Sequence, residues 1–202
     1  MATRPRSGPR PHVQTLSDMM FSLALSLGAL VLISQLPQTP TELYAGLGLF
    51  GFSFLILVTV WSNYSRVMSV LPVETEGLII LNLLLLFVVA VEPYLLNVVA
   101  YQGLKPVGEA ASVLYGVDLA VMNMILGGFV HVLSREEKAL VPSSLFKQLR
   151  RIRDVNLGFA AVFLISVLPV FWTWMWLPGI PSRFVLWILT LPVGWSVRVA
   201  RR

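Results

Sequence analysis

Apolar runs long enough to cross a lipid bilayer recur six times in this chain, at about 17–36, 43–66, 77–99, 109–133, 155–176 and 183–200. A hydrocarbon layer needs roughly 20 apolar residues per helical crossing. Backbone within it must satisfy every N–H and C=O inside its own segment. The expected fold class is therefore an all-α integral membrane protein with six transmembrane helices. Of the 202 residues, 56% are hydrophobic and 12% charged, against about 45–50% and 25% in soluble domains. That balance excludes a secreted or cytosolic globular enzyme. The domain reading is a basic, Pro-rich, disordered cytoplasmic tail over 1–15 and one membrane domain over 16–202. The first run lacks a small-x-small cleavage site, so a retained signal anchor is expected.

The breaks between runs follow local chemistry. Pro37 and Pro40 close the first, Pro72, Glu74 and Glu76 separate the second from the third, and Lys105-Pro106 leads into the fourth. A charged stretch from Ser134 to Asp154 precedes the fifth, and Pro178, Gly179 and Pro181 make the last turn. The net charge of +5 carries orientation rather than nucleic-acid binding. With the N-terminus inside, only Lys105 and Arg183 of the 15 Lys and Arg residues fall outside. This bias puts both termini in the cytoplasm and agrees with an even number of spans. Trp172, Trp174 and Trp176 then fall at the outer end of the fifth run, as an aromatic belt. The segment 145–154 is basic, with Leu145, Phe146, Leu149 and Ile152 at helical spacing. It reads as a solvated connector touching anionic headgroups, with a regulatory partner site as the alternative.

Catalytic chemistry is missing. The chain has no Cys and two His, so it holds no thiolate site and no H-E-x-x-H zinc site. No metal, no cofactor and no enzyme activity are expected. Gly46, Gly48 and Gly51 formally match G-x-G-x-x-G, but they sit inside an apolar run without a preceding strand. Small residues for helix packing explain them better. What remains are polar residues within the spans, where lipid makes them costly. Asp118 lies mid-span, with Tyr115 three residues before it and Asn123 beyond. It reads either as a hydrogen-bonded structural carboxylate or as a proton or cation site. Glu92, before Pro93, is a second candidate for such a site, with a wetted structural role near the interface as the simpler expectation. Asn63, Asn82 and Asn97 read as interhelical glue.

The first span has a patterned face. At 100° per residue, with Leu23 at zero, Leu30 falls at about −20°, Leu27 at about +40°, Met19 at about −40° and Ser26 at about −60°. This Leu/Met column, punctuated by Ser22, Ser26 and Ser34, reads as a packing seam or, in several copies around an axis, as the wall of a pore. In the second case leucine rings gate by dewetting and serine oxygens partly replace an ion's hydration shell.

The segment 16–27, LSDMMFSLALSL, resembles the opening helix of the transmembrane protein 175 potassium-channel family in its prokaryotic single-repeat form. That family carries R-x-x-x-F-S-D before an apolar helix. Trp61-Ser62-Asn63-Tyr64-Ser65-Arg66 is similar to the family's W-x-N-H-H-R pattern at the end of the second helix. Leu81-Asn82 and the segment from Leu114 to Ala120 are similar to the third and fourth helices. The resemblance covers roughly 12–133. His12 stands for the motif Arg, Leu16 for its Phe, Met19 for its Gly, and Tyr64 and Ser65 for the paired histidines. Through these departures a polar network joining the first two helices is expected to be weaker, or pH-sensitive through His12.

The resemblance implies a homotetramer in a prokaryotic cell membrane, with the first span lining the pore, potassium as the permeant ion and no selectivity-filter loop. It implies Leu23 as the hydrophobic constriction, with Ser22, Ser26, Leu27 and Leu30 lining the path. Ser17 and Asp18 would organise the inner mouth with His12, Trp61, Asn63 and Arg66. Partners are then potassium ions, lipids and further copies of the chain. Two other readings compete: a proton-coupled carrier or leak using Asp118 and Glu92, and a non-conducting membrane scaffold.

Overall fold

The computed structural model describes residues 12–34, 37–69, 76–136, 143–177 and 180–199, with side chains for 15–30, 37–69, 76–132, 149–176 and 180–192. Among these residues the chain forms α1 (His12–Ser34), α2 (Pro40–Met68), α3 (Glu76–Gln102), α4 (Pro106–Glu136), α5 (Ser143–Ser166), a one-turn α6 (Val170–Thr173), a hairpin of β1 (Met175–Leu177) and β2 (Ile180–Pro181), and α7 (Ser182–Val199). The architecture is all-α apart from that hairpin, whose strands pair antiparallel.

Local signals set the helix ends. Thr39 caps α2 by accepting from the Glu42 N–H at 3.2 Å, with Pro40 at the first helical position. The Glu42 carboxylate in turn accepts from the Gln38 N–H at 2.8 Å. The α3 helix closes at Gly103, whose φ of +53° suits a residue without Cβ, and its N–H returns to the Val99 carbonyl at 3.0 Å. Three helices are long and apolar enough to cross a membrane among the described residues: 40–68, 76–102 and 106–132. Thr15–Leu30 and Ser182–Pro192 are shorter apolar helices.

The core is built around α4, which presents Tyr115, Leu119, Met122, Leu126 and Phe129 as fully buried side chains. The α3 and α5 helices pack on α4, α1 packs on α3 and α2, and α7 packs on α5. On α1 the buried residues are Ser17, Phe21 and Ala24, at i, i+4 and i+7 on one face. Tyr64 of α2 ties this region together, its ring 5.9 Å from Phe21 and 6.0 Å from Phe129.

Two expectations are corrected here. The fifth apolar run, 155–176, is not one helix. The α5 helix ends at Ser166, and the N–H groups of Val167 and Leu168 bond the carbonyls of Leu164 and Ile165 in a tightened last turn. Pro169 follows, and a residue without N–H marks such a stop. The basic stretch before that run is no solvated connector, because α5 begins at Ser143 and runs through it. Leu149 and Ile152 are buried, and Asn156, Ala160 and Phe163 continue the same stripe. Arg150 and Arg151 stay exposed, and Arg153 pairs with its neighbour Asp154 at 2.9 Å.

Candidate functional site

The α1 helix carries opposite characters on its two sides. Leu16, Met19, Leu23, Leu27 and Leu30 are all exposed, Leu23 by 52%, as are Ser22 and Ser26. All but Leu16 were singled out from the sequence as a candidate pore face, and they lie away from the core. The serine hydroxyls donate back along the helix, Ser22 to the Asp18 carbonyl at 2.8 Å and Ser26 to the Ser22 carbonyl at 2.9 Å. A hydroxyl has one proton and two lone pairs. With the proton spent on the backbone, each serine presents oxygen as an acceptor to whatever faces α1.

The buried side of α1 is fixed by a polar knot. Tyr64 Oη donates to Ser17 Oγ at 2.7 Å, and Ser17 Oγ donates to Asn82 Oδ1 at 3.1 Å, so three helices meet at one hydroxyl. All three side chains are buried. One residue along, Trp61 Nε1 donates to Asp18 Oδ1 at 3.0 Å. The substitution at Tyr64 was expected to weaken the link between the first two helices, whereas Tyr64 itself makes a bond between them. Its length lets the phenol reach across to α1 while its ring fills the gap between Phe21 and Phe129.

Other expected members of the inner-mouth set lie elsewhere. Asn63 Nδ2 reaches Asn156 Oδ1 of α5 at 3.4 Å, away from Asp18. Arg66 is half-buried at the end of α2 and forms no ion pair among the described residues. His12 is the first residue of α1 and its side chain lies outside the described residues, as do the side chains of Ser34, Leu145 and Phe146.

Two further polar clusters lie toward the other end of the bundle. Glu92 is fully buried rather than wetted, which corrects the interfacial expectation. Its Oε2 accepts from Ser53 at 2.9 Å and its Oε1 from Tyr115 at 2.8 Å. Pro93 beside it withholds an N–H from the α3 ladder, so the missing ladder bond and the buried carboxyl lie side by side. Asp118, one turn beyond Tyr115 and 7% exposed, has one carboxylate oxygen, Oδ2, without a hydrogen-bond partner. Among the described residues no group of three metal-ligating side chains forms.

The second cluster centres on Arg183, which sequence reasoning counted only as an outer-side charge. Its guanidinium is fully buried. It donates through Nε to the Ser166 carbonyl at 2.7 Å, through Nη2 to the Val167 carbonyl at 2.8 Å, and through Nη1 to Ser112 Oγ. It also lies 5.4 Å from the ring centroid of Trp172. A cation at a helix C-terminus complements the dipole and satisfies carbonyls that have no helical donor. Trp187 Nε1 adds a bond to Ser166 Oγ at 2.9 Å. The sequence signal was the turn itself: an Arg just beyond Pro181 can fold back onto the end of the preceding helix.

Comparison with known proteins follows the same lines. A family model described as the endosomal/lysosomal potassium channel TMEM175 matches residues 12–93, the stretch that holds α1, α2 and most of α3. No curated protein matches the chain. A crystal structure of a variant of the potassium channel MtTMEM175, in complex with a nanobody–MBP fusion, shares the fold with a TM-score of 0.67. The identity is 19%, over 100% of both chains. The lysosomal potassium-selective channel TMEM175 homolog from Chamaesiphon minutus is similar with a TM-score of 0.62 and 21% identity, over 90% of this chain and 96% of that one. The structures speak for the fold, and the family match is confined to the first three helices.

Proposed function

We propose that this chain, a member of the TMEM175 family of potassium channels, is the subunit of a potassium-permeable channel whose first helix lines the pore. Four copies around one axis would bring the exposed face of α1 inward. Leu23 then forms a hydrophobic constriction, flanked by Leu27 and Leu30, with Ser22 and Ser26 supplying oxygen. The observation that carries this reading is the two-sidedness of α1: an apolar face that the described residues leave exposed, set with serines whose only protons are already bonded to the helix backbone. Such oxygens can accept a partly dehydrated cation, and leucine rings can exclude water when closed. The chain has no T-V-G-Y-G sequence, so discrimination would rest on the helix itself.

In this reading α1, α2, α3, α4, α5 and α7 are the six crossings and both termini face the cytoplasm. The distribution of Lys and Arg supports that orientation. The source of the solved neighbours favours a multi-pass protein of a prokaryotic cell membrane. The Ser17–Tyr64–Asn82 knot and the Asp18–Trp61 bond would hold the pore helix against α2 and α3. The chemistry is permeation, not catalysis, and needs no cofactor beyond the permeant ion.

The test is potassium flux from liposomes holding the purified protein, with Leu23→Ala beside the wild type. Wild-type flux that prefers potassium to sodium, and rises about tenfold in the variant with weaker preference, is the expected result. Equal flux in both would remove Leu23 from the pore. One observation favours a second reading, a proton-coupled carrier or leak: the unpartnered Asp118 Oδ2. That reading requires pH-coupled flux abolished by Asp118→Asn. Silent liposomes from monomeric, folded protein would favour a scaffold.

A further inference from the structure

A cavity of about 570 Å³ lies between α1, α2 and α3, within the range of small-molecule sites. Its lining runs from Glu42 near the start of α2 and Tyr101 near the end of α3 to the buried Ser53. We infer that this cavity is a binding site for a small organic cation with a hydrocarbon body, of the alkylammonium class, seated behind the proposed pore helix.

The chemistry of the walls selects the ligand. Leu49, Phe50, Pro93 and Leu96 make most of the surface apolar, which suits a hydrocarbon body. The polar groups offer electron pairs. Ser53 has given its proton to Glu92 Oε2 at 2.9 Å, so it can only accept from a ligand. Among the described residues the lining includes the carboxylate of Glu42 and no Lys, Arg or His. The lining also holds donors, the Asn97 amide and the Tyr101 hydroxyl, but its charged group is the Glu42 carboxylate, which repels an anion and which a neutral alkane would leave unmatched.

The position of the cavity gives binding a consequence. Gly28 of α1 is part of its lining. A Cβ built there would stand 3.7 Å from the Phe50 ring, so Phe50 forms the contact between the cavity and the back of α1. A ligand that shifts Phe50 therefore acts on α1 between Leu27 and Leu30. No part of this site depends on the channel conducting, so it can fail or stand apart from the proposed function.

The test uses tritiated hexylamine, protonated at neutral pH, on the full chain in phosphatidylcholine nanodiscs, read by scintillation proximity. Saturable binding is expected, displaced by unlabelled hexylamine and not by hexanol or hexanoate. Glu42→Gln keeps the acceptor for the Gln38 N–H and removes the charge, so it should weaken binding about three- to fivefold. Ala45→Phe, at another lining position, should abolish it. Loss of binding when phosphatidylethanolamine is added would assign the same site to a lipid ammonium headgroup. Uptake no greater than in empty nanodiscs, or binding that hexanol displaces equally, would overturn the inference. So would binding indifferent to Glu42→Gln in a variant that melts like the wild type.

Discussion

The hydroxyl junction among α1, α2 and α3 can be tested bond by bond. Tyr64→Phe removes one oxygen and keeps the ring, so the contacts with Phe21 and Phe129, at 5.9 and 6.0 Å, should survive. What is lost is the 2.7 Å bond to Ser17. A neutral hydrogen bond is worth a net 0.5–1.5 kcal/mol or so. Measured side-chain bonds in membrane proteins average about 0.6 kcal/mol, so the expected cost of Tyr64→Phe is about 1 kcal/mol. Ser17→Ala removes the acceptor for Tyr64 and the 3.1 Å donor to Asn82 together, and should cost about 2 kcal/mol. If Tyr64 acts on α1 through Ser17, the double variant should be less damaged than the sum of the singles, by about 0.6–1 kcal/mol. The assay is reversible unfolding in bicelles, followed by tryptophan fluorescence, for all four proteins of the cycle. Strict additivity, with each single variant destabilised, would refute the bond between Tyr64 and Ser17. Single variants indistinguishable from the wild type would refute the knot as a whole.

Two other substitutions probe the opposite end. Arg183→Met removes a buried guanidinium from the carbonyls of Ser166 and Val167 and should cost about 3 kcal/mol, seen as a large fall in melting temperature; an unchanged melt would mean that the end of α5 does not depend on it. Glu92→Gln gives its two hydroxyl donors, Ser53 and Tyr115, only one accepting oxygen, so a loss of about 2 kcal/mol is expected in the same unfolding assay, with potassium flux per folded protein unchanged. Flux that collapses while stability holds would move Glu92 into the transport path.

Much of this arrangement was legible because lipid imposes a strict grammar. A helix that must bury its backbone polar groups announces itself by length and hydropathy, and α2, α3 and α4 follow the apolar runs closely. The face of α1 was legible by angle alone, since Leu23, Leu27 and Leu30 fall opposite Ser17, Phe21 and Ala24. Polar residues within spans marked the cluster of Glu92, Tyr115 and Asp118, as their cost in hydrocarbon predicts. What escaped the sequence were features that arise only when helices meet. Tyr64 counts as a lost histidine until its distance to Ser17 is known. Arg183 counts as a loop charge until the end of α5 is seen to lie beneath it. Glu92 looked interfacial because its depth depends on what α2 and α4 place over it, and that is not a property of α3.

The α5 helix shows why hydropathy and helical phase must be read separately. Average hydropathy put its start near residue 155 and its end near 176, following where the chain becomes oily and where the tryptophans stop. Phase follows which side of the helix is covered, and it does not pause at a charge. Leu149, Ile152, Asn156, Ala160 and Phe163 form one buried stripe across the supposed boundary, so the helix continues through the arginines, which point outward. At the far end the oily residues continue but the phase breaks, because Pro169 cannot supply the N–H that another turn would need. The Ile165 carbonyl that Pro169 would have met accepts from the Leu168 N–H instead, and Arg183 occupies the next two carbonyls, those of Ser166 and Val167. The helix that hydropathy displaces by about ten residues at each end is therefore fixed by two local facts present in the sequence, a stripe and a proline, and the buried cation follows from the second.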